Sequence, residues 1–148
     1  MNATLLDRRQ VVARLLAGRE ELAVVTGLGS ATYDVAAVGE HPRNFYLWGA
    51  MGSAVTVGLG LANSQPNLPV LVITGDGEQL MGIGALATGA TQKPSNLTVV
   101  VLDNGHYGET GMQQSHTGRG INLHEVAQAC GFQSVYCIEQ LEQLDPLH

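Results

Sequence analysis

Five short runs of apolar residues recur along the chain, and within each run the apolar residues are consecutive rather than alternating. The clearest are VLVIT at 70–74, which we expect at the centre of a sheet, and LTVVVL at 97–102. Consecutive apolar residues over this length are typical of strands covered on both faces, as in a parallel sheet. The strands are predicted at residues 22–26, 44–47, 70–74, 97–102 and 134–138.

The segments between these runs have a helical spacing of apolar residues or are rich in small residues. Thr4 is a candidate cap for the first helix, and Asn122 for the last, which Gly131 would end. The segment 51–62 (MGSAVTVGLGLA) is rich enough in glycine to pack very closely, and 103–120 has no periodicity. The helices are predicted at residues 5–17, 33–38, 51–62, 81–90 and 122–130.

Strands that alternate with helices predict an α/β fold, a doubly wound, mostly parallel sheet flanked by helices. We expect a single domain over residues 1–148, because this length suits one core and is too short for two. Ligands of such sheets bind beyond the carboxyl ends of the strands. Three glycine-rich loops follow strands there, at 48–52, 75–80 and 103–117.

Composition excludes several classes of protein. With 45% hydrophobic and 14% charged residues, the chain is not a disordered polymer, and its 19 glycines show no collagen period. The net charge of −6 and the absence of a basic patch argue against a nucleic-acid surface. Cys130 and Cys137 fit neither a redox pair nor a zinc site. Without a signal-peptide pattern or a membrane-spanning run, we expect a cytoplasmic protein.

The loop TGDGEQ at 74–79 is the first with candidate chemistry. Gly75 and Gly77 allow the backbone to approach an anion, and the amides of Gly77, Glu78 and Gln79 would point out of a helix N-terminus, where phosphates bind. Asp76 would repel a phosphate unless a cation such as Mg²⁺ lay between them. The alternative is an ordinary strand–helix turn with a capping aspartate.

The loop LDNGHYG at 102–108 follows the next strand, so it begins beside the first loop. Asn104 offers an amide oxygen, and a backbone carbonyl near His106 offers a third oxygen for one octahedral ion. The alternative is a plain Asn-Gly turn. No P-loop is present, and Lys93 is the only lysine, so a diphosphate would be held by backbone amides and a metal.

These residues resemble a known motif. Gly-Asp-Gly at 75–77, followed after 26 residues by Asn104, is similar to the thiamine-diphosphate motif. NFYLWGAMG at 44–52 resembles the segment that grips the aminopyrimidine ring, and GETGMQQS at 108–115 resembles a glycine–glutamine loop. Over residues 22–132 the chain resembles the diphosphate-binding (PP) domain of thiamine-diphosphate-dependent decarboxylases, most closely the sulfopyruvate and phosphonopyruvate decarboxylases.

The resemblance implies a cofactor, thiamine diphosphate, and a metal, Mg²⁺. It makes Asp76, Asn104 and the carbonyl of His106 the metal ligands, with Gly77 and Glu78 donating amides to the diphosphate. The implied cofactor-binding residues are Gly49, Ala50, Met51, Gly75, Asp76, Gly77, Glu78, Gln79, Asn104, His106, Tyr107 and Gly108.

The resemblance also implies catalytic roles. The carbonyl of Gly49 would accept a hydrogen bond from the pyrimidine amino group, and Met51 would wedge the cofactor into a bent form that brings the reacting nitrogen and carbon together. Met51 could instead be a core methionine. His116 is a candidate proton relay, or a solvated loop histidine. Ala50 stands where the family often has serine, and Gln114-Ser115 where it often has Pro-Thr, both near the expected substrate side.

The implied function is one subunit of a two-chain 2-oxo acid decarboxylase. The cofactor ylide attacks the 2-oxo carbon, carbon dioxide leaves, and an aldehyde is released. A separate subunit would supply the pyrimidine-binding domain and its catalytic glutamate, in a hetero-oligomer with two or more active sites at subunit interfaces. The chain ends soon after the fifth predicted strand, so the sheet edge is either reduced or completed by a partner. The alternatives are an acetolactate-synthase-like carboligase subunit and a non-catalytic regulatory module.

Overall fold

Four parallel strands form the centre of the structure, a computed structural model that describes residues 5–147 and the side chains of residues 5–145. The strand order is β2-β1-β3-β4, and every neighbouring pair is parallel. The prediction of a parallel sheet is therefore confirmed. The strands are β1 (Ala23–Thr26), β2 (Asn44–Tyr46), β3 (Val70–Gly75) and β4 (Leu97–Leu102).

Helices cover both faces of this sheet, as the doubly wound prediction requires. The first two helices pack on one face, and the third and fifth pack on the other. They are α1 (Arg8–Leu15), α2 (Ser30–Val38), α3 (Ala54–Ser64), α4 (Asp76–Met81), α5 (Gly84–Gln92) and α6 (Leu123–Cys130).

Successive residues of the inner strands serve the two cores in turn. Leu71 and Ile73 of β3 face α1 and α2, whereas Val72 between them faces α3 and α5. Because both faces are covered, β1 is buried throughout and β3 is buried up to its last residue. This explains why these strands are recognisable as unbroken apolar runs, and it confirms the central place predicted for β3.

The helix ends follow local capping chemistry. Asp7 is the N-cap of α1, where its carboxylate accepts from the amide of Arg9 at 2.8 Å, and the helix begins three residues later than predicted. Thr4, the predicted cap, lies outside the described residues. Asn122 and Gly131 bound α6 as predicted, and Gly131 adopts the left-handed conformation with φ of 108°.

One strand prediction holds in its bounds but not in its burial, and another is wrong. β4 has the predicted bounds and packs side chains on both cores, but it is only partly buried, since it pairs with β3 alone and is an edge strand of the described sheet. In the described part of the chain, residues 134–138 pair with no strand. The partly buried side chains there, Val135 and Ile138, are three residues apart, which is not the spacing of two that a strand face requires.

Loop and helix boundaries also differ from the prediction. The helix predicted at 51–62 begins at Ala54, and the one predicted at 81–90 is replaced by α4 and α5, which are separated near Gly82. The aperiodic stretch 103–120 contains an antiparallel hairpin of β5 (His106–Tyr107) and β6 (Gln113–Gln114). Among residues 5–147, no helix has the length and apolarity needed to cross a membrane.

Candidate functional site

The carboxyl ends of β3 and β4 lie side by side at one edge of the sheet. Gly75 and Leu102 are the last registered pair of these strands, so Asp76, the first residue of α4, lies beside Asp103, the first residue after β4. The Oγ1 atom of Thr117 joins the two segments, at 3.2 Å from Oδ2 of Asp76 and 2.7 Å from Oδ1 of Asp103. The two segments that the sequence predicts as loops at one edge are therefore in contact, but the first of them, at 75–80, is mostly helix α4.

A second contact between these loops involves Gly77 and Tyr107. A methyl group placed on Gly77 would lie 2.5 Å from Cδ1 of the Tyr107 ring. The ring therefore rests on the bare backbone of the first turn of α4, and any larger residue at position 77 would push it away. Gly77 and Tyr107, both predicted to bind cofactor, thus belong to one packed unit.

The loop at 48–52 reaches the same region through Gly52. A methyl group on Gly82, at the end of α4, would lie 1.9 Å from the carbonyl oxygen of Gly52. The loop itself is unusual, since Gly49, Ala50 and Gly52 have φ of 84°, 49° and 90°. Ala50 is in the left-handed region without being glycine, a conformation that costs about 1 kcal/mol and often accompanies a functional loop. Met51, between them, is 38% exposed.

Asp76 is the buried charged residue at the centre of this edge. Asp76 is only 3% exposed, and its Oδ2 atom accepts a hydrogen bond from the hydroxyl of Ser115 at 2.5 Å. Thr117 reaches the same oxygen, so both contacts involve Oδ2 and neither involves Oδ1. The carboxylate therefore has one oxygen tied to the protein and a second that these hydroxyls do not use.

Asn104 and His106 form a tight local turn. The side-chain oxygen of Asn104 accepts from the backbone amide of His106 at 3.0 Å, and Nδ1 of the His106 ring lies 2.9 Å from the backbone oxygen of Asn104. An amide oxygen has two lone pairs, so the Asn104 side chain retains one acceptor site. The His106 ring contacts its own loop, which leaves the backbone carbonyl as the atom to consider for a metal.

Glu78 and Gln79 turn their side chains into the protein. Oε2 of Glu78 accepts from the Thr74 hydroxyl at 2.7 Å, and the residue is 5% exposed. A methyl group on Gly27 would lie 1.5 Å from this oxygen, so the carboxylate occupies space that only glycine leaves free. Their contribution to an anion site is therefore limited to backbone amides, which lack acceptors in the first turn of a helix.

A fourth loop at this edge was not predicted as a site. Gly29 precedes α2, and a methyl group there would lie 2.7 Å from Oε1 of Glu109. Glu109 lies in a short 3₁₀ turn that begins at Gly108, another predicted cofactor residue. The loop after β1 and the loop after β4 therefore meet across the edge of the sheet.

His116 is exposed and lies two residues after β6. Its Nδ1 atom is 3.4 Å from the Tyr107 hydroxyl, a contact at the long limit for a hydrogen bond. This position keeps the His116 ring next to a residue of the packed unit. Its predicted role as a proton relay stays a prediction.

The donor set at this edge suits a hard cation. No three His, Cys, Asp or Glu side chains gather into a metal site within residues 5–147. The available donors are instead a carboxylate oxygen of Asp76, the amide oxygen of Asn104 and main-chain carbonyls. These are all oxygen ligands, the type that Mg²⁺ takes when it shares its shell with a phosphate. The residues therefore fit the predicted metal in their chemistry.

The sequence analysis missed the contacts that Asp103, Ser115 and Thr117 make at this edge. Ser115 was expected near the substrate side, but the structure buries it completely against Asp76. These contacts join residues 14 to 41 positions apart, and the hairpin that creates them is only two residues long on each strand. No periodic signal in the sequence indicates such a hairpin.

The fold and this edge define a domain that would hold an anionic cofactor at the carboxyl ends of a parallel sheet, with a cation beside it. Residues 27–147 match the family model of the thiamine pyrophosphate enzyme, C-terminal TPP binding domain. The chain belongs to this family.

The similar proteins include a decarboxylase subunit and a decarboxylase with a much longer chain. The chain is 40% identical over 128 residues to sulfopyruvate decarboxylase subunit beta of Methanocaldococcus jannaschii, which covers 86% of this chain and 66% of that protein. It is 41% identical over 138 residues to phosphonopyruvate decarboxylase of Streptomyces viridochromogenes, covering 93% of this chain but 34% of that protein. The chain therefore spans about two thirds of one relative and one third of the other.

A solved structure shows the same fold. The thiamine diphosphate-dependent 4-hydroxybenzoylformate decarboxylase of Rhodococcus jostii RHA1 superposes with a TM-score of 0.80 over 97% of this chain and 29% of that one, at 21% identity. This similarity extends over almost the whole chain, and it shows that the sheet and its helices have the same fold.

Proposed function

We propose that this chain is the thiamine-diphosphate- and Mg²⁺-binding subunit of a two-chain 2-oxo acid decarboxylase. The observation that carries the proposal is the pairing of Asp76 with the 103–106 turn at the ends of two registered strands, in a chain of this family. The substrate we favour is a 2-oxo acid with a sulfonate or phosphonate tail, as the names of the relatives suggest.

In this proposal the chain binds the cofactor through its diphosphate. Oδ1 of Asp76, the amide oxygen of Asn104 and the carbonyl of His106 would hold Mg²⁺, and the amides of Gly77 and Glu78 would bind phosphate oxygens. Bound thiamine diphosphate supplies an electron sink for the carbon that remains when a 2-oxo acid loses carbon dioxide. Met51 and the carbonyl of Gly49 would orient the pyrimidine ring.

A separate partner subunit is supported by the two arrangements of the relatives. A similar protein is named as a beta subunit, whereas another contains this region as one third of a longer chain. In an enzyme of two subunits, a second chain would supply the part that the longer relative has in addition to this region. We infer that it carries the pyrimidine-binding domain and its catalytic glutamate.

The surface beside the site supports a covering partner. Trp48 is 91% exposed, and Met81 and Ile83 are also exposed near the Gly52–Gly82 contact. Clusters of exposed apolar side chains are typical of protein interaction surfaces. A partner seated here would lie next to the loop that carries Met51.

The test is calorimetric titration of the co-expressed two-chain complex with thiamine diphosphate, with Mg²⁺ or with EDTA. We expect binding only with Mg²⁺, and we expect Asp76→Asn to weaken it about 100-fold, since a lost charged ligand costs roughly 3 kcal/mol. Glu40→Gln, an exposed acid that precedes β2 and so lies at the opposite end of the parallel sheet from Asp76, is the charge-matched control and should bind normally.

Product analysis then identifies the reaction. A free aldehyde from a sulfonate- or phosphonate-bearing 2-oxo acid would support decarboxylation, and a hydroxyketone would instead indicate a carboligase. Cofactor binding that is absent, or unaffected by EDTA, would contradict the proposal and favour a non-catalytic regulatory module.

A further inference from the structure

Two buried or half-buried hydroxyls lie between the two acidic residues at the sheet edge. Ser115 Oγ is 2.5 Å from Oδ2 of Asp76, and Thr117 Oγ1 is 2.7 Å from Oδ1 of Asp103. The two hydroxyl oxygens are themselves 2.9 Å apart. Asp76 and Asp103 directly follow β3 and β4, so this cluster spans the ends of both strands.

A count of protons assigns the hydrogen bonds. Each hydroxyl has one proton, and a carboxylate can only accept. The two shortest contacts give the Ser115 proton to Asp76 and the Thr117 proton to Asp103. The longer contact of Thr117 to Asp76, at 3.2 Å, is then secondary. Each acidic side chain therefore has its own hydroxyl donor.

The Ser115 donor is fixed by the backbone around it. The residue is 0% exposed, and its amide donates to the carbonyl of Gly105 at 2.8 Å. Because the Ser115 hydroxyl is buried away from water, Asp76 is its hydrogen-bond acceptor, and the bond fixes the position of Oδ2 of Asp76. The carboxylate torsion of an aspartate is otherwise broad, and fixing one oxygen also fixes where Oδ1 points.

The Thr117 donor acts on the neighbouring turn. Oδ1 of Asp103 accepts from Thr117 and also from the amide of Gly105 at 2.9 Å. Asn104 lies between Asp103 and Gly105, so its backbone is held from both sides. The same hydroxyl cluster therefore orients both side chains that our proposed function assigns to Mg²⁺.

Resting on that proposed function, we propose that Ser115 and Thr117 are positioning residues that aim Asp76 and the Asn104 turn at the metal. Groups that hydrogen-bond to metal ligands typically change metal affinity 10–100-fold when removed. A purely structural pair would instead lower the stability of the metal-free protein and leave its metal affinity unchanged.

The test measures Mg²⁺ affinity of the two-chain complex by calorimetry at saturating thiamine diphosphate, together with thermal melting in EDTA. We expect Ser115→Ala to raise the Mg²⁺ dissociation constant at least about tenfold. Thr117→Val, which keeps the shape and loses the hydroxyl, should raise it as well, and Thr117→Ser should restore it. Thr91→Val removes a hydroxyl bonded to Ala87 on the exposed side of α5 and is the control that should change nothing.

The outcomes separate this inference from the proposed function. If the wild-type complex binds Mg²⁺ and the cofactor but Thr117→Val and Ser115→Ala bind Mg²⁺ within twofold of it, the positioning role is wrong and the proposed function stands. Equal loss in Thr117→Val and Thr117→Ser would also refute the role of the hydroxyl. A wild-type complex without Mg²⁺-dependent cofactor binding would overturn both.

Discussion

At the scale of single residues, two glycines from different loops meet backbone to backbone beside the site. Gly82 ends α4 and Gly52 ends the loop that carries Met51, and no side chain separates them. Since neither contact atom belongs to a flexible side chain, the backbone itself would have to move to admit a methyl group. The position of the Met51 loop therefore depends on residue 82 having no side chain.

We predict that Gly82→Ala lowers the free energy of unfolding by about 1–3 kcal/mol, the usual cost of overpacking. It should also weaken cofactor binding, because the 48–52 loop would shift. Gly84→Ala, two residues away with open space around it, is the matched control. Urea unfolding and cofactor titration of the two variants would measure both effects, and equal stability of the two would contradict the contact.

At the scale of elements, α3 owes its close approach to the sheet to one of its two glycines. A methyl group on Gly58 would lie 2.2 Å from Cγ2 of Val72 in β3, whereas one on Gly60 would meet nothing within 4 Å. Both residues lie inside the same helix. The helix therefore contains one glycine that packing requires and one that it does not.

For this pair of glycines we expect alanine substitutions to change the free energy of unfolding in opposite directions. Gly60→Ala should stabilise the protein by about 1 kcal/mol, because alanine is the better helix former at an open position. Gly58→Ala should destabilise it by roughly 1–3 kcal/mol through the clash with Val72. Chemical denaturation of both variants is the measurement. Stabilisation by Gly58→Ala would mean that α3 stands further from the sheet than described.

At the scale of the whole molecule, four loops from different parts of the chain are joined at one edge. The contacts Gly77–Tyr107, Gly52–Gly82 and Gly29–Glu109 connect all four of them at the sheet edge. A ligand that bridged these loops would add its binding energy to the stability of the whole domain. Thiamine diphosphate and Mg²⁺ should then act together.

Thermal melting of the two-chain complex tests this expectation. At about 100 times the dissociation constant, a bound ligand adds roughly 2.7 kcal/mol of stability. We expect the melting temperature to rise when both Mg²⁺ and thiamine diphosphate are present and to change little with either alone. The full rise with thiamine diphosphate in EDTA would contradict a shared metal site.

Local patterns were enough to predict the strands and the loops that follow them. The runs at 70–74 and 97–102 indicated β3 and β4, and the Gly-Asp-Gly turn with its distant Asn104 indicated the edge where they end. The same reasoning failed at 134–138, where Ile138 packs on the core but no residue of the run joins the described sheet. It also divided the helices wrongly near Gly82.

By itself the sequence determined the fold class, the order of the strands along the chain and the chemical types of the polar groups at the sheet edge. It did so because burial on two faces requires consecutive apolar residues, and because tight turns require glycine. Only the tertiary structure decided which side chains orient Asp76, since Ser115 and Thr117 are distant in the chain. Hydrogen bonds and glycine contacts between remote loops follow from packing in three dimensions, and they leave no periodic pattern in the sequence.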